Sequence, residues 1–251
     1  MNLQSLYLSL RIIQGQNLSL KPQKESKNNM LNIYVNGLSG KMGSSITHTV
    51  RDIDDIQIVT DKNIQEADVV VDFSRPEASL EILDECIKLK KPIIIGTSGF
   101  NNNQLDQIRE SSKEIPTLLS FNMSKGIYTL KKSIEEFLLN NKLKLTCLIE
   151  EVHHVHKVDS PSGTAIELKD HIESFDTDKN ISKLAIKADR VGDIFGIHKV
   201  TFTSEHGVSE FKHEALSRNV FSHGVIEIAR SIIKKEPGLY KLEDFFNNNS
   251  F

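Results

Sequence analysis

Cysteine is nearly absent from this chain, which carries only Cys86 and Cys147 among 251 residues. Each sits inside an apolar segment, and neither has metal-ligand or redox spacing. A disulfide framework and a thiolate metal centre are therefore excluded, and both thiols read as small core hydrophobes in a reducing compartment. No stretch approaches the ~20 uninterrupted apolar residues of a membrane-spanning helix. An excess of charge is missing too. The formal net charge of -3 leaves no electrostatic footprint for a nucleic acid and no strongly acidic tail. Internal repeats and low-complexity segments do not occur in the body of the chain, and only the Asn247-Asn248-Asn249 tail reads as frayed. What remains fits one large or two small domains with a substantial core, expected to be cytoplasmic.

The segment before Met30 stands apart. It holds one acidic residue, Glu25, against Arg11, Lys21, Lys24 and Lys27, a bias that superficially matches an organelle transit peptide. A secretory signal is ruled out because Arg11 interrupts the only candidate apolar core. The preferred reading is a disordered extension, 1–29, outside the fold, with Met30 as a possible start directly before the first convincing strand.

From Met30 onward strand and helix patterns alternate. A short apolar strand (31–35) runs into Gly37-Leu38-Ser39-Gly40-Lys41-Met42-Gly43, and a helix is expected over 44–50. Glycines at a strand-to-helix turn let the backbone approach a pyrophosphate, which rests on the helix amino terminus. A glycine triplet alone is weak, because tight turns use glycine for steric reasons as well. Its context strengthens it: a further strand, 56–60, ends at Asp61, where an acidic side chain would hold a ribose hydroxyl. Lys62 beside it could meet a 2'-phosphate, so both NAD and NADP are open. The continuously apolar run 67–73 reads as a buried parallel strand. Ser74-Arg75-Pro76-Glu77 reads as a capping box opening a helix to about residue 90. A strand (92–95), the loop Gly96-Thr97-Ser98-Gly99-Phe100, a helix (104–112) and a strand (117–120) follow, leading into Phe121-Asn122-Met123-Ser124. The Gly37, Asp61, Gly96 and Asn122 loops all fall at carboxyl ends of strands, where ligands bind in doubly wound sheets.

The second half changes character. After a helix over 127–139, the strand 143–149 leads into Glu150-Glu151-Val152-His153-His154-Val155-His156-Lys157-Val158-Asp159-Ser160-Pro161-Ser162-Gly163-Thr164-Ala165. This is the densest chemistry in the chain. On a strand, alternation places His154 and His156 on one face and His153 and Lys157 on the other. Pro161 and Gly163 mark a turn, and Ser162, Gly163 and Thr164 would open a helix near Ala165 whose free amides suit an anion. Imidazole donors, an ammonium and an anion-binding turn fit a small polyanionic substrate that is protonated during reaction. Alternating patterns at 184–189, 197–203 and 208–215 then predict a mixed or antiparallel sheet, and a helix over 221–233 returns to the first half. The expected fold is α/β: a Rossmann-type nucleotide-binding domain (30–124 and 219–251) plus a smaller α+β domain with a mixed sheet (125–218).

These motifs together resemble the 4-hydroxy-tetrahydrodipicolinate (dihydrodipicolinate) reductase family over essentially everything after Met30. The resemblance rests on the glycine loop, Val71-Asp72-Phe73-Ser74-Arg75-Pro76, Gly96-Thr97-Ser98-Gly99-Phe100, Asn122-Met123-Ser124, the histidine box and His213-Glu214-Ala215-Leu216-Ser217-Arg218. Departures are modest: Ser160 stands where alanine is usual, Ser98 where a second threonine is common, and Met123 where phenylalanine is common. The resemblance implies reduction of a cyclic imine-type dicarboxylate with NADPH or NADH in lysine and diaminopimelate biosynthesis. It implies His153 as the proton donor and Lys157 as a second donor that also attracts a carboxylate. His154 would hold the substrate, with Ser162, Gly163 and Thr164 at its carboxylate. Cofactor contacts would come from Gly37, Leu38, Ser39, Gly40, Lys41, Met42, Asp61, Lys62, Gly96, Thr97, Ser98, Ser120, Phe121, Asn122 and Met123. A homotetramer built through the second domain is implied as well.

Blander readings compete residue by residue. Zinc bound by Glu151, His153, His154 and His156 is the metal alternative, weakened because alternation splits the adjacent histidines; no metal is expected. His48, His171 and His206 read as structural histidines, Asp72 and Arg75 as structural or edge-of-site residues, and Glu205, Glu210 and His213 as a solvated sheet face. An amino-acid or homoserine dehydrogenase would share the nucleotide half without the Lys157-to-Thr164 turn. A non-catalytic nucleotide sensor would lack the proton donor.

Overall fold

The computed structural model describes residues 30–59 and 63–246. Two sheets organise them. The first is entirely parallel and is built from β1 (Leu31–Asn36), β2 (Ile56–Val59), β3 (Val69–Asp72), β4 (Ile93–Ile95), β5 (Pro116–Leu119) and β10 (Gly238–Tyr240), in the order β10-β5-β4-β3-β1-β2. Val69, Val70, Val71 and Asp72 are all buried, as expected for a central strand covered on both faces. On one face lie α1 (Lys41–Val50) and α6 (Asn219–Ile232), packing Ile46, Val225 and Ile228 against Ile33, Val71 and Ile94. The other face is covered by α2 (Pro76–Leu89) and α3 (Asn102–Ser111), whose Leu83 and Ile108 meet Val70, Ile93 and Ile95. Cys86 and Cys147 are free and buried, as their apolar settings predict.

The second sheet is mixed, in the order β7-β6-β8-β9. It comprises β6 (Leu145–His153), β7 (Ile181–Arg190), β8 (Ile197–Ser204) and β9 (Gly207–Glu214); β6 runs parallel to β7 and antiparallel to β8. Helices α4 (Lys125–Asn140) and α5 (Gly163–Phe175) bury Ile134, Leu138 and Leu168 against Cys147, Ile149 and Val200 on one face. Alternation on β6 exposes Thr146 and Leu148 on the opposite face. Lys131 stitches the two halves, its buried Nζ lying 3.3 Å from Glu167 on α5 and 3.0 Å from Glu243 in the C-terminal turn.

The structure corrects two local expectations. Strand β6 stops at His153, and residues 154–157 form a turn closed by Lys157 N–H donating to His154 O at 3.1 Å. The alternation expected for His154, His156 and Lys157 therefore does not apply. Ser74 does not cap α2: the N-cap is Arg75, without a side-chain cap bond, and Ser74 Oγ donates instead to Asp72 Oδ1 at 2.5 Å. The buried Asp72 carboxylate outcompetes the helix amides for that hydroxyl. A capping box does form one helix later, between Asn101 and Gln104.

Candidate active site

The carboxyl ends of β3, β4 and β5, the first turn of α1 and the end of β6 border one cavity of about 430 Å³. From the first sheet its wall takes Met42, Phe73, Gly96, Ser98, Phe121, Asn122 and Met123; from the second half it takes His153, His154, Lys157, Asp159, Thr164, Phe195 and Arg218. The structure thus brings together residues that the sequence assigned separately to cofactor and to substrate.

On the nucleotide side, Gly37 turns the chain with φ of 86°, a left-handed conformation suited to glycine. A Cβ at Gly43 would stand 2.5 Å from the Gly37 carbonyl oxygen, so α1 approaches the turn as closely as it does only without one. Helix α1 begins after Gly40 with no side-chain cap and no acidic residue in its first turn. Its leading amides are left to an incoming anion, which fits the pyrophosphate of a dinucleotide. Leu38, Ser39, Gly40 and Lys41 form an exposed rim rather than the cavity wall. Thr97 and Ser120 are spent on the protein. Thr97 Oγ1 donates to Asp72 Oδ2 at 2.7 Å, and Ser120 Oγ donates to the Asn122 carbonyl at 2.9 Å. Asp72, bonded also by Asn36, Ser74 and Ser79, is the knot of these loops, in keeping with its structural reading, and Arg75 is exposed. Asp61 and Lys62 lie outside the described residues.

On the substrate side, His153 is buried at the end of β6, with Nδ1 2.6 Å from Glu151 Oε2. The two atoms lie at ion-pair distance, and the contact is an ion pair when the imidazole carries its second proton. The other oxygen of Glu151 accepts from Ser162 N–H at 2.9 Å and from Arg190 Nη2 at 3.1 Å. Burial pushes the Glu151 carboxyl up, but the His153 imidazole and the Ser162 donors outweigh it and hold the group well below the usual carboxylate range. One fixed anion therefore anchors both the imidazole and the start of α5.

His198 stands opposite Glu151 across the β6–β8 ladder, its ring centroid 5.0 Å from that of His153. Burial, then the neighbouring His153, drive its pKa down to about 3, so at neutral pH it is uncharged. Burial also lowers the His154 pKa, followed by the charges of Lys41 and Arg218. Lys157 Nζ pairs with Asp159 Oδ1 at 2.7 Å, while Asp159 Oδ2 accepts from Gly163 N–H at 3.3 Å. Asp159 thus occupies two donors expected to meet a substrate carboxylate. Ser162 N-caps α5 through Ala165 N–H at 3.2 Å, and Thr164 faces the cavity. His156 is exposed and lines no part of the cavity.

The zinc alternative changes membership. The residues whose ligand atoms converge are Glu151, His153 and His198, not His154 or His156. Arg190 beside Glu151 puts a fixed positive charge where a cation would bind, so the trio reads as a carboxylate–imidazole network. His213 corrects its solvated-face reading: it is half-buried, with Nε2 3.0 Å from Ser124 Oγ. Glu205, Glu210, His48 and His206 are exposed, and His171 is structural, its Nε2 3.1 Å from the Lys131 carbonyl. Sequence reasoning missed His198, Arg190 and Phe195. The available signal for His198 was its place in the inward-facing alternation with Val200 and Phe202 on β8.

A Rossmann-type sheet whose loops meet a histidine–lysine cluster across a shared cavity defines the class: a nicotinamide-dependent oxidoreductase. Comparison with known proteins narrows it. Residues 59–123 match the family description "Dihydrodipicolinate reductase, N-terminus", and residues 126–246 match "Dihydrodipicolinate reductase, C-terminus". The chain is 34% identical over 223 residues to the 4-hydroxy-tetrahydrodipicolinate reductase of Bdellovibrio bacteriovorus, covering 85% of this chain and 95% of that one. It is 35% identical over 252 residues to the enzyme of the same name from Clostridium tetani, covering 87% and 98%. The fold is similar to that of a dipicolinate-bound dihydrodipicolinate reductase from Paenisporosarcina sp. TG-14, with a TM-score of 0.68, 19% identity, and 86% and 100% of the two chains covered. The chain belongs to the dihydrodipicolinate reductase family.

Proposed function

We propose that this chain reduces 4-hydroxy-tetrahydrodipicolinate to tetrahydrodipicolinate in the diaminopimelate and lysine pathway. The observation that carries the reading is the single cavity in which His153, His154, Lys157 and Thr164 face Met42, Gly96 and Met123. A bound reduced nicotinamide supplies the hydride. Each hydride added in place of the lost hydroxyl requires one proton at the reacting system, and the protein must deliver it. His153 is the donor in this reading: it borders the cavity while Glu151 steadies the ring from Nδ1. Since His198 is neutral beside it, the buried pair has one proton carrier.

Lys157 attracts a substrate carboxylate and serves as a second donor once the substrate displaces Asp159. His154 and the Ser162-Gly163-Thr164 turn hold the dicarboxylate, aided by the helix amino terminus. The cofactor would rest on the Gly37-to-Met42 turn, with Gly96 to Ser98 and the backbone of Ser120 to Met123 beside it. Asp61 and Lys62 meet the adenosine ribose, and the pair admits both NADH and NADPH. The nucleotide-binding domain comprises 30–124 and 219–251 and the substrate domain 125–218. We further infer a cytoplasmic homotetramer, assembled through the uncovered face of the second sheet, where Leu148 and Val208 are exposed. The test is oxidation of NADPH and NADH with substrate generated in situ. Turnover is expected with both cofactors, and Lys62→Ala should weaken NADPH selectively. Light scattering giving the mass of one 28.3 kDa chain would contradict the assembly.

A further inference from the structure

The hydrogen bonds between the Asn122 loop and the start of α5 all point one way. Ser124 N–H donates to Asn122 Oδ1 at 2.9 Å, which fixes the oxygen end of the amide. The nitrogen end then faces Thr164, and Asn122 Nδ2 donates to Thr164 Oγ1 at 3.1 Å. A hydroxyl that accepts such a bond still has its own proton to place. Among the described residues no protein acceptor takes that proton, and Thr164 and Asn122 both border the cavity while exposing only 4% and 7% of their surface.

The far end of the chain of bonds is anchored too. Ser124 Oγ accepts from Gly126 N–H at 3.2 Å and meets His213 Nε2 at 3.0 Å. His213 reaches this position because residue 126 has no side chain: a Cβ there would lie 2.1 Å from the imidazole. The Asn122 carbonyl is held by Ser120 Oγ at 2.9 Å, so neither the backbone nor the amide of Asn122 is free to turn.

We propose that Asn122 is a specificity-determining positioning residue that turns the Thr164 hydroxyl proton toward the cavity. Its side chain is committed to Ser124 and Thr164 rather than to the cofactor. An anionic substrate group accepts the Thr164 proton, whereas a ligand offering a hydrogen-bond donor there finds only the one lone pair that Asn122 leaves. This rests on the reading of Thr164 as a carboxylate contact.

A double-mutant cycle tests it, with pyridine-2,6-dicarboxylate titrated into the NADPH-saturated enzyme and followed by calorimetry. Thr164→Val should weaken binding by about tenfold or more, the usual cost of a lost hydrogen bond to a charged group. Asn122→Ala should cost severalfold in the wild-type background and less than about twofold in the Thr164→Val background, because the two act as one unit. Asn122→Asp keeps the Ser124 bond but accepts the Thr164 proton and adds a negative charge. It should lose on the order of a hundredfold, and it decides the matter if Asn122→Ala does not fold. NADPH affinity should stay within about twofold in every variant, which a direct cofactor role would not allow. Undiminished dicarboxylate binding by Thr164→Val would overturn the carboxylate reading itself. If Thr164→Val weakens binding but Asn122→Ala costs the same in both backgrounds, or Asn122→Asp binds like wild type, the positioning role is overturned while the carboxylate reading stands.

Discussion

His198 gives the sharpest prediction, because a buried histidine kept neutral makes the fold acid-sensitive in a defined window. Its side chain is 2% exposed, and burial, then the nearby His153, bring its pKa from 6.5 to about 3. In the unfolded chain the same imidazole takes up a proton near 6.5. Between these values the unfolded state binds more protons than the folded state. Stability therefore rises with pH in that window, is lost as pH falls from 6.5 toward 3, and changes no further below it. Each pH unit inside the window is worth about 1.4 kcal/mol, so lowering the pH from 7 to 5 should cost about 2 kcal/mol through this residue alone. His198→Gln removes the titrating group. Urea unfolding at pH 7 and pH 5 measures the effect, at one fixed protein concentration because an assembling protein's midpoint depends on it. The wild type should lose about 2 kcal/mol more than the variant on acidification. Some acid loss should persist in the variant, since burial also lowers His154, His171 and His213. The Glu151 carboxylate, held below its ordinary range, gives stability that is lost only at more acidic pH. Equal losses in wild type and variant would refute a neutral His198, and with it His153 as the one proton carrier of the pair.

Other expectations concern the cavity directly. His153→Gln should lower turnover by ~10²–10⁴-fold while NADPH binding, read by fluorescence titration, stays intact; near-normal turnover would remove His153 from the chemistry. Asp159→Asn should lower the Michaelis constant for substrate by about two- to fivefold, because it frees Lys157 from a partly exposed ion pair. A raised Michaelis constant would show that Asp159 assists binding instead. Gly43→Ala should cut cofactor affinity by at least about tenfold, or 1.4 kcal/mol, because the new Cβ meets backbone oxygens of Gly37 and Leu38 at 2.5 Å. Unchanged cofactor affinity in a folded Gly43→Ala protein would contradict the account of the turn.

Much of the fold was legible because its signals are local. The continuously apolar run ending at Asp72 is a central strand, and the glycine turn, the Gly96 loop and the Asn122 loop do converge, since parallel strands bring their carboxyl ends to one edge. Strand β10 and the turn Leu242–Asp244 left no pattern, being only three residues each. The histidine box was recognisable by composition, yet its geometry was not. Alternation assumes that the strand continues, and β6 ends at His153, where Val155 N–H turns to bond the Gly192 carbonyl at 3.1 Å. Glu151 and His198 become partners only through the antiparallel register of β6 with β8, and His153 meets Arg190 only through the parallel register with β7. Such pairings are properties of the assembled sheet. The Ser74 reading failed for a similar reason: the local pattern does not announce that Asp72 collects hydroxyls from Ser74, Ser79 and the distant Thr97.

The most direct test of the central claim is a coupled assay in which 4-hydroxy-tetrahydrodipicolinate is generated in situ and oxidation of NADPH and of NADH is followed by absorbance. The account predicts substrate-dependent oxidation by the wild-type protein that is abolished or reduced by ~10²-fold or more in His153→Gln under cofactor saturation. Cofactor binding without substrate-dependent oxidation, or turnover confined to an amino-acid or semialdehyde substrate, would contradict it.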